Sequence, residues 1–136
     1  MSDHNQPTAA GKYIGATTRE LAGKTGADKA AAGVSQKVLF QRRGEVLLFP
    51  DRLVLGGWGE SGDLVLRRED IRSVEARFTE LYGRFIGGLL NAGKPLVVDT
   101  VPAGEFYLLV NRKEVMETTD DLKWEKLLRA WLAEDD

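Results

Sequence analysis

The chain has 136 residues, of which 43% are hydrophobic and 29% charged, with a formal charge of −2; this is ordinary globular composition for one domain, or one domain and a tail. It has no cysteine and a single histidine, His4, which excludes disulfides, thiolate metal sites and a multi-histidine metal centre within one chain. No apolar run approaches the ~20 residues that span a bilayer, and the near-neutral charge supplies no global field toward nucleic acid or anionic lipid.

The start, Met1-Ser2-Asp3-His4-Asn5-Gln6-Pro7, lacks the basic and apolar regions of a signal peptide. A cytoplasmic protein is the expectation. Residues 1–33 are rich in Ala, Gly, Thr and Lys, and their sizeable apolar residues are Tyr13, Ile14 and Leu21. Gly23, Gly26 and Gly33 interrupt the helical propensity of Thr17–Ala22 and Ala27–Ala32. The expectation for 1–33 is therefore a disordered or weakly helical tail.

From Val34 the texture changes to short apolar runs. Lys37–Gln41 is one, closed by Arg42-Arg43-Gly44; Glu45–Phe49 is the next. Pro50 sits where its fixed φ suits a type I turn, so Phe49-Pro50-Asp51-Arg52 predicts a tight hairpin into Arg52–Gly56. The glycine-rich stretch Gly56–Gly62 leads to Asp63–Leu66. In Ile71–Thr79, Val74, Ala76 and Phe78 alternate with Ser73, Glu75, Arg77 and Thr79, the period of a half-buried strand. Tyr82, Phe85, Ile86, Leu89 and Leu90 follow a helical spacing, yet Gly83, Gly87 and Gly88 oppose a helix, and Ile86–Leu89 also fits a type I′ turn. Leu96–Val101, the Pro102-Ala103-Gly104 turn and Glu105–Val110 form one more hairpin. Finally Trp124, Leu127, Leu128, Trp131 and Leu132 share one face of a helix over Asp120–Leu132, and Thr118, Thr119, Asp120 and Asp121 supply capping oxygens and negative charge at its start.

The hairpin Gly44–Leu55, the step Leu66–Val74 and the terminal helix bearing Trp124 and Trp131 together resemble pleckstrin-homology-like domains, and more closely their GRAM-like and bacterial PH-like branches. The likeness runs from about Val34 to Leu132. It implies a mainly β fold, a split barrel of about seven antiparallel strands capped by one C-terminal helix, with the domain over residues 34–134. It also implies a non-catalytic scaffold that holds phosphoinositides, peptides or proteins. The family's lipid-binding members carry their basic set in the first hairpin, where this chain offers Arg42 and Arg43.

Individual motifs point to binding rather than catalysis. Gly88–Lys94 matches the glycine and lysine positions of a phosphate-binding P-loop, but Pro95 replaces the magnesium-binding hydroxyl residue and β-favouring residues follow. No histidine or cysteine falls after residue 33 and no carboxylate pair has a catalytic spacing, so neither an enzyme nor a cofactor is expected. Basic residues from Lys37 to Arg84 are interleaved with acids and lack stacking aromatics, which argues against nucleic acid. Trp58 has two placements, tucked against the barrel or standing out as a partner's anchor. The same choice holds for the 82–90 segment, which is core or an exposed patch.

The leading expectation is a partner protein bound through Trp58, Tyr82, Phe85, Ile86, Leu89 and Leu90. A peripheral membrane module using Arg42, Arg43, Arg84 and Lys94 against anionic lipid is the rival. A homodimeric structural domain is the third reading.

Overall fold

Alternation along each strand decides which side chains face inward, and here the inward sets gather into one core. The computed structural model describes residues 6–23, 41–77, 95–111 and 120–134. Seven strands are present among them: β1 (Ala9–Thr17), β2 (Arg42–Leu48), β3 (Leu53–Gly59), β4 (Gly62–Leu66), β5 (Ile71–Ala76), β6 (Leu96–Thr100) and β7 (Gly104–Val110). Helix α1 (Thr18–Ala22) follows β1, and α2 (Asp121–Ala133) ends the described chain. The strands pair antiparallel in the order β4-β3-β2-β1-β7-β6-β5, a curled half-barrel with the C-terminal helix over it. The mainly β architecture expected from the sequence is the one observed.

Val46, Leu48, Leu53, Leu55, Leu66, Val74, Val98, Phe106, Leu108 and Val110 form the inner core with Trp124, Leu128 and Trp131 of α2. The run Phe106–Val110 is buried throughout, because Tyr107 and Leu109 on the outer face are covered as fully as their inner neighbours. Leu21 of α1 is likewise fully buried.

One expectation is corrected over residues 9–17: instead of a tail, they supply the strand that joins the two halves of the sheet, while the helical propensity of Thr17–Ala22 is realised as α1. β1 pairs with β2 from Ala9↔Leu48 to Gly15↔Arg42, and with β7 from Tyr13↔Val110 to Thr17↔Phe106. Its small residues are a packing requirement. A Cβ on Gly15 would stand 2.8 Å from Leu108 Cδ2 and 3.2 Å from the Trp58 ring. Thr17 then starts α1 with a capping box, accepting from the Glu20 amide at 3.0 Å while Glu20 Oε1 accepts from the Thr17 amide at 2.8 Å. A second correction concerns Arg42-Arg43-Gly44, read above as the close of the Lys37–Gln41 run, which instead opens β2. The expected strand over Lys37–Gln41 lies outside the described residues except for Gln41, which is not in a strand.

The predicted hairpin at Pro50-Asp51 forms, with the Phe49 amide donating to Arg52 O at 2.8 Å. α2 also forms, but its opening acids do different work from capping. Asp120 makes no side-chain cap bond and instead accepts from Asn111 Nδ2 at 2.7 Å. Asp121, buried to 1% exposure, accepts from the Val110 amide at 2.7 Å and so ties the helix to the end of β7. Thr118 and Thr119 lie outside the described residues.

Further along, α2 covers the β5 edge. Glu125 accepts from the Ala76 amide at 2.7 Å, and Arg129 Nε donates to Val74 O at 3.0 Å. Its last turns reach the far half of the sheet: Trp131 Nε1 donates to Pro50 O at 3.0 Å, and Arg68 donates to both Trp131 O (2.8 Å) and Pro50 O (2.9 Å). Arg68 also lies over the Trp131 ring at 4.7 Å.

β2 and β3 touch most closely at Gly44, where a Cβ would fall 1.9 Å from Gly56 O. That oxygen is backbone and has no room to retreat without parting the strands. Gly44→Ala should therefore destabilise the protein by about 2–4 kcal/mol, as overpacking against a rigid neighbour does. Denaturant unfolding of the variant checks this; an unchanged midpoint would mean the two strands are not held at this approach.

Candidate functional site

β3 carries the irregularity on which the candidate site is built. Its register with β4 shifts between Leu55 and Gly59, so Gly56, Gly57 and Trp58 bulge opposite Asp63. Gly57 takes φ +66°, a left-handed conformation that favours glycine. Asp63 Oδ1 accepts from the Gly57 amide at 2.9 Å, and Tyr13 OH donates to Gly56 O at 2.8 Å. The bulge is thus satisfied by the adjacent strand β4 and by β1, which reaches it from beyond β2.

This re-aims Trp58 into the barrel. The ring is 9% exposed and packs against Phe106 (centroids 4.6 Å) and Tyr13 (6.1 Å). Of its two expected placements, the tucked one is observed. Arg42 lies over the ring at 4.6 Å, donates through Nη1 to Trp58 O, and donates through Nε to Glu20 Oε1 at 2.9 Å. In the β1–β4 half, this cluster closes the end opposite the Pro50 turn that α2 holds.

Gln41, Arg42, Arg43, Gly57, Trp58, Gly59, Glu60 and Ser61 line an open concavity outside the cluster. The structure therefore brings together three of the residues singled out from sequence: Trp58, Arg42 and Arg43. Their roles differ. Arg42 is occupied by Glu20 and the Trp58 carbonyl, whereas Arg43 is exposed and makes no ion pair among the described residues. Glu60 adds a negative charge to the same wall. Tyr82, Arg84, Phe85, Ile86, Leu89, Leu90 and Lys94 lie outside the described residues.

Two groups at this end have shifted acidities. Burial pushes the Tyr13 phenol up to about 12, with Arg42 opposing and Asp63 reinforcing the shift. Burial alone would raise Glu20, but hydrogen bonds from Arg42 and Thr17 outweigh it and hold the carboxyl below its ordinary range. The chemistry on offer is that of a neutral, hydrogen-bonded lock. Among the described residues, no group of three or more His, Asp or Glu side chains is placed to hold a metal ion.

A second surface was missed from sequence. On the outward side of α2, Leu122, Lys123, Lys126, Leu127 and Ala130 line a mainly apolar concavity of roughly 470 Å³. Leu122 is 58% exposed, and Leu127 is only partly covered by the core. The signal was present as Leu122, Lys126 and Ala130 at steps of four, opposite the tryptophan stripe. No described helix is long and apolar enough to cross a membrane. No protein-family model matches the chain, and no curated protein matches its sequence.

Because the Tyr13 phenol is held neutral in the folded state, its contribution to stability is complete below pH ~10, the ordinary tyrosine value. It is lost as pH rises through about 12. An ultraviolet absorbance titration of the wild type minus that of Tyr13→Phe should show a component with a midpoint near 12. A midpoint at the ordinary value would mean that the phenol is solvated and the lock around the bulge is open.

Proposed function

We propose that the chain is a non-enzymatic interaction module of the pleckstrin-homology-like kind, possessing a surface for another protein. The curled seven-stranded sheet with its C-terminal helix supports the scaffold part of this reading. The observation that carries the binding part is the concavity on α2, where Leu122, Ala130 and the uncovered flank of Leu127 are interleaved with Lys123 and Lys126. The occupant that fits is a short amphipathic segment of a protein with acidic residues beside its apolar anchors, because the apolar residues supply area and the two lysines supply sign. The face is also rigidly mounted, since the opposite side of the helix holds Trp124, Leu128 and Trp131 in the core.

The rival, a membrane module, draws on Arg42, Arg43, Arg84 and Lys94. It is the weaker reading because the Glu20 carboxylate lies 2.9 Å from Arg42, and Glu60 shares the concavity with Arg43. A charge already paired contributes little attraction to an anionic surface.

Photo-crosslinking from position 126, with the protein in its own cells, should give a discrete protein adduct that Leu122→Asp removes. The same probe placed at Lys12, which is exposed on β1, should give none. Cosedimentation with phosphatidylserine vesicles at low salt, retained in the Leu122→Asp variant, would replace this reading with the membrane one; absence of a specific adduct would remove it.

A further inference from the structure

The two outer strands of the sheet are treated differently. At β5, the outward backbone groups of Val74 and Ala76 are taken up by Arg129 and Glu125 of α2. At β4, pairing runs to β3 alone among the described residues. A strand edge left in this state is a template for another strand.

Which β4 groups face outward follows from the neighbouring hairpin. Phe49 and Arg52 are bonded across the turn, and bonded pairs alternate along an antiparallel ladder, so Leu47 and Val54 form the next bonded pair. Val54 therefore points its backbone at β2. Leu53 and Leu55 point theirs at Leu66 and Leu64, which leaves the N–H and C=O of Val65 directed away from the sheet.

The side chains around Val65 point to the partner. Ala10, Leu47, Val54 and Val65 stand directly opposite one another across β1, β2, β3 and β4 on the outer face, an apolar row that ends at the open edge with Val65 47% exposed. Asp63 and Arg67, both exposed, lie two residues to either side of Val65 and on its face. An antiparallel pair of identical strands centred on Val65 sets Val65 against Val65, Leu64 against Leu66, and Asp63 against Arg67, twice, by symmetry. The sequence around this edge is thus complementary to itself, as a two-fold interface requires.

We propose that β4 pairs antiparallel with β4 of a second copy of this chain, centred on Val65, to form a two-fold symmetric dimer. The Val65 pair exchanges two backbone hydrogen bonds and joins the two apolar rows. The Arg67 amide is already committed to Asp70 Oδ2 at 3.0 Å, so the flanks contribute through the Asp63–Arg67 side-chain pairs rather than through further backbone bonds. Among the described residues, the Arg67 guanidinium of the single chain has one ionic contact, a long one of 3.9 Å to Asp51. With so short a ladder and exposed ion pairs, the dimer is weak and salt-sensitive.

Multi-angle light scattering at high protein concentration and low salt should show a dimer that dissociates on dilution and on adding salt. Val65→Lys should give monomer with unchanged circular dichroism. Arg67→Asp should also give monomer, and the double variant Asp63→Arg/Arg67→Asp should regain the dimer. Loss of the Asp63–Gly57 bond costs stability in that double variant, so its recovery of the dimer reports the swapped pairs and not the fold. A wild type that stays monomeric at every concentration, or a dimer unaffected by Val65→Lys, would overturn the proposal. Neither result bears on the α2 surface, which lies on a different element.

Discussion

Among the described residues the curled sheet does not close, which leaves an apolar mouth and two strand edges, and the seat of α2 resolves the mouth and one of the edges. Trp124, Leu128 and Trp131 fill the mouth. Glu125 and Arg129, spaced one turn apart, meet the backbone of β5. Trp131 and Arg68 converge on Pro50 O, which belongs to the hairpin at the other side of the sheet. A single carbonyl therefore receives donors from the helix and from the turn before β5. This arrangement holds the two halves of the sheet at a fixed separation, so the core has one packing solution rather than a range of openings. The buried Asp121 sets the helix register at its start by engaging the last residue of β7.

The opposite end of the β1–β4 half is closed by different means. There the bulge in β3 turns Trp58 inward, and Arg42 covers its ring while satisfying its carbonyl. Aromatic and basic residues in a glycine-rich turn read as binding equipment in a sequence, yet here they serve the scaffold. The groups left outward are of another kind: the apolar residues of α2 interleaved with two lysines, and the β4 edge with its alternating apolar and charged side chains. Both are products of tertiary placement.

How much of this was legible depended on periodicity. The tryptophan stripe of α2, the Pro50 hairpin and the β6–β7 hairpin carry strong local signals, and all three formed. β1 did not announce itself, because Ala9-Ala10-Gly11 and Gly15-Ala16 have neither bulk nor alternation. Its strand is imposed by its neighbours, and its small residues are what Leu108 and Trp58 leave room for. Arg42 was legible as a cation but not as a paired one, since Glu20 lies 22 positions away across α1. Asp120 and Asp121 were legible as helix-start acids, while their partners, Asn111 and Val110, come from the preceding strand's end. The apolar segment 82–90 lies outside the described residues.

The most direct test of the seat of α2 is hydrogen exchange at two protons far apart in the chain, the indole N–H of Trp131 and the backbone amide of Ala76. The first is held by Pro50 O and the second by Glu125. If the helix is what closes the sheet, both exchange slowly in the folded protein and open with the same free energy as global unfolding. Exchange of either at the rate of an unstructured peptide, while the strands remain protected, would contradict the account.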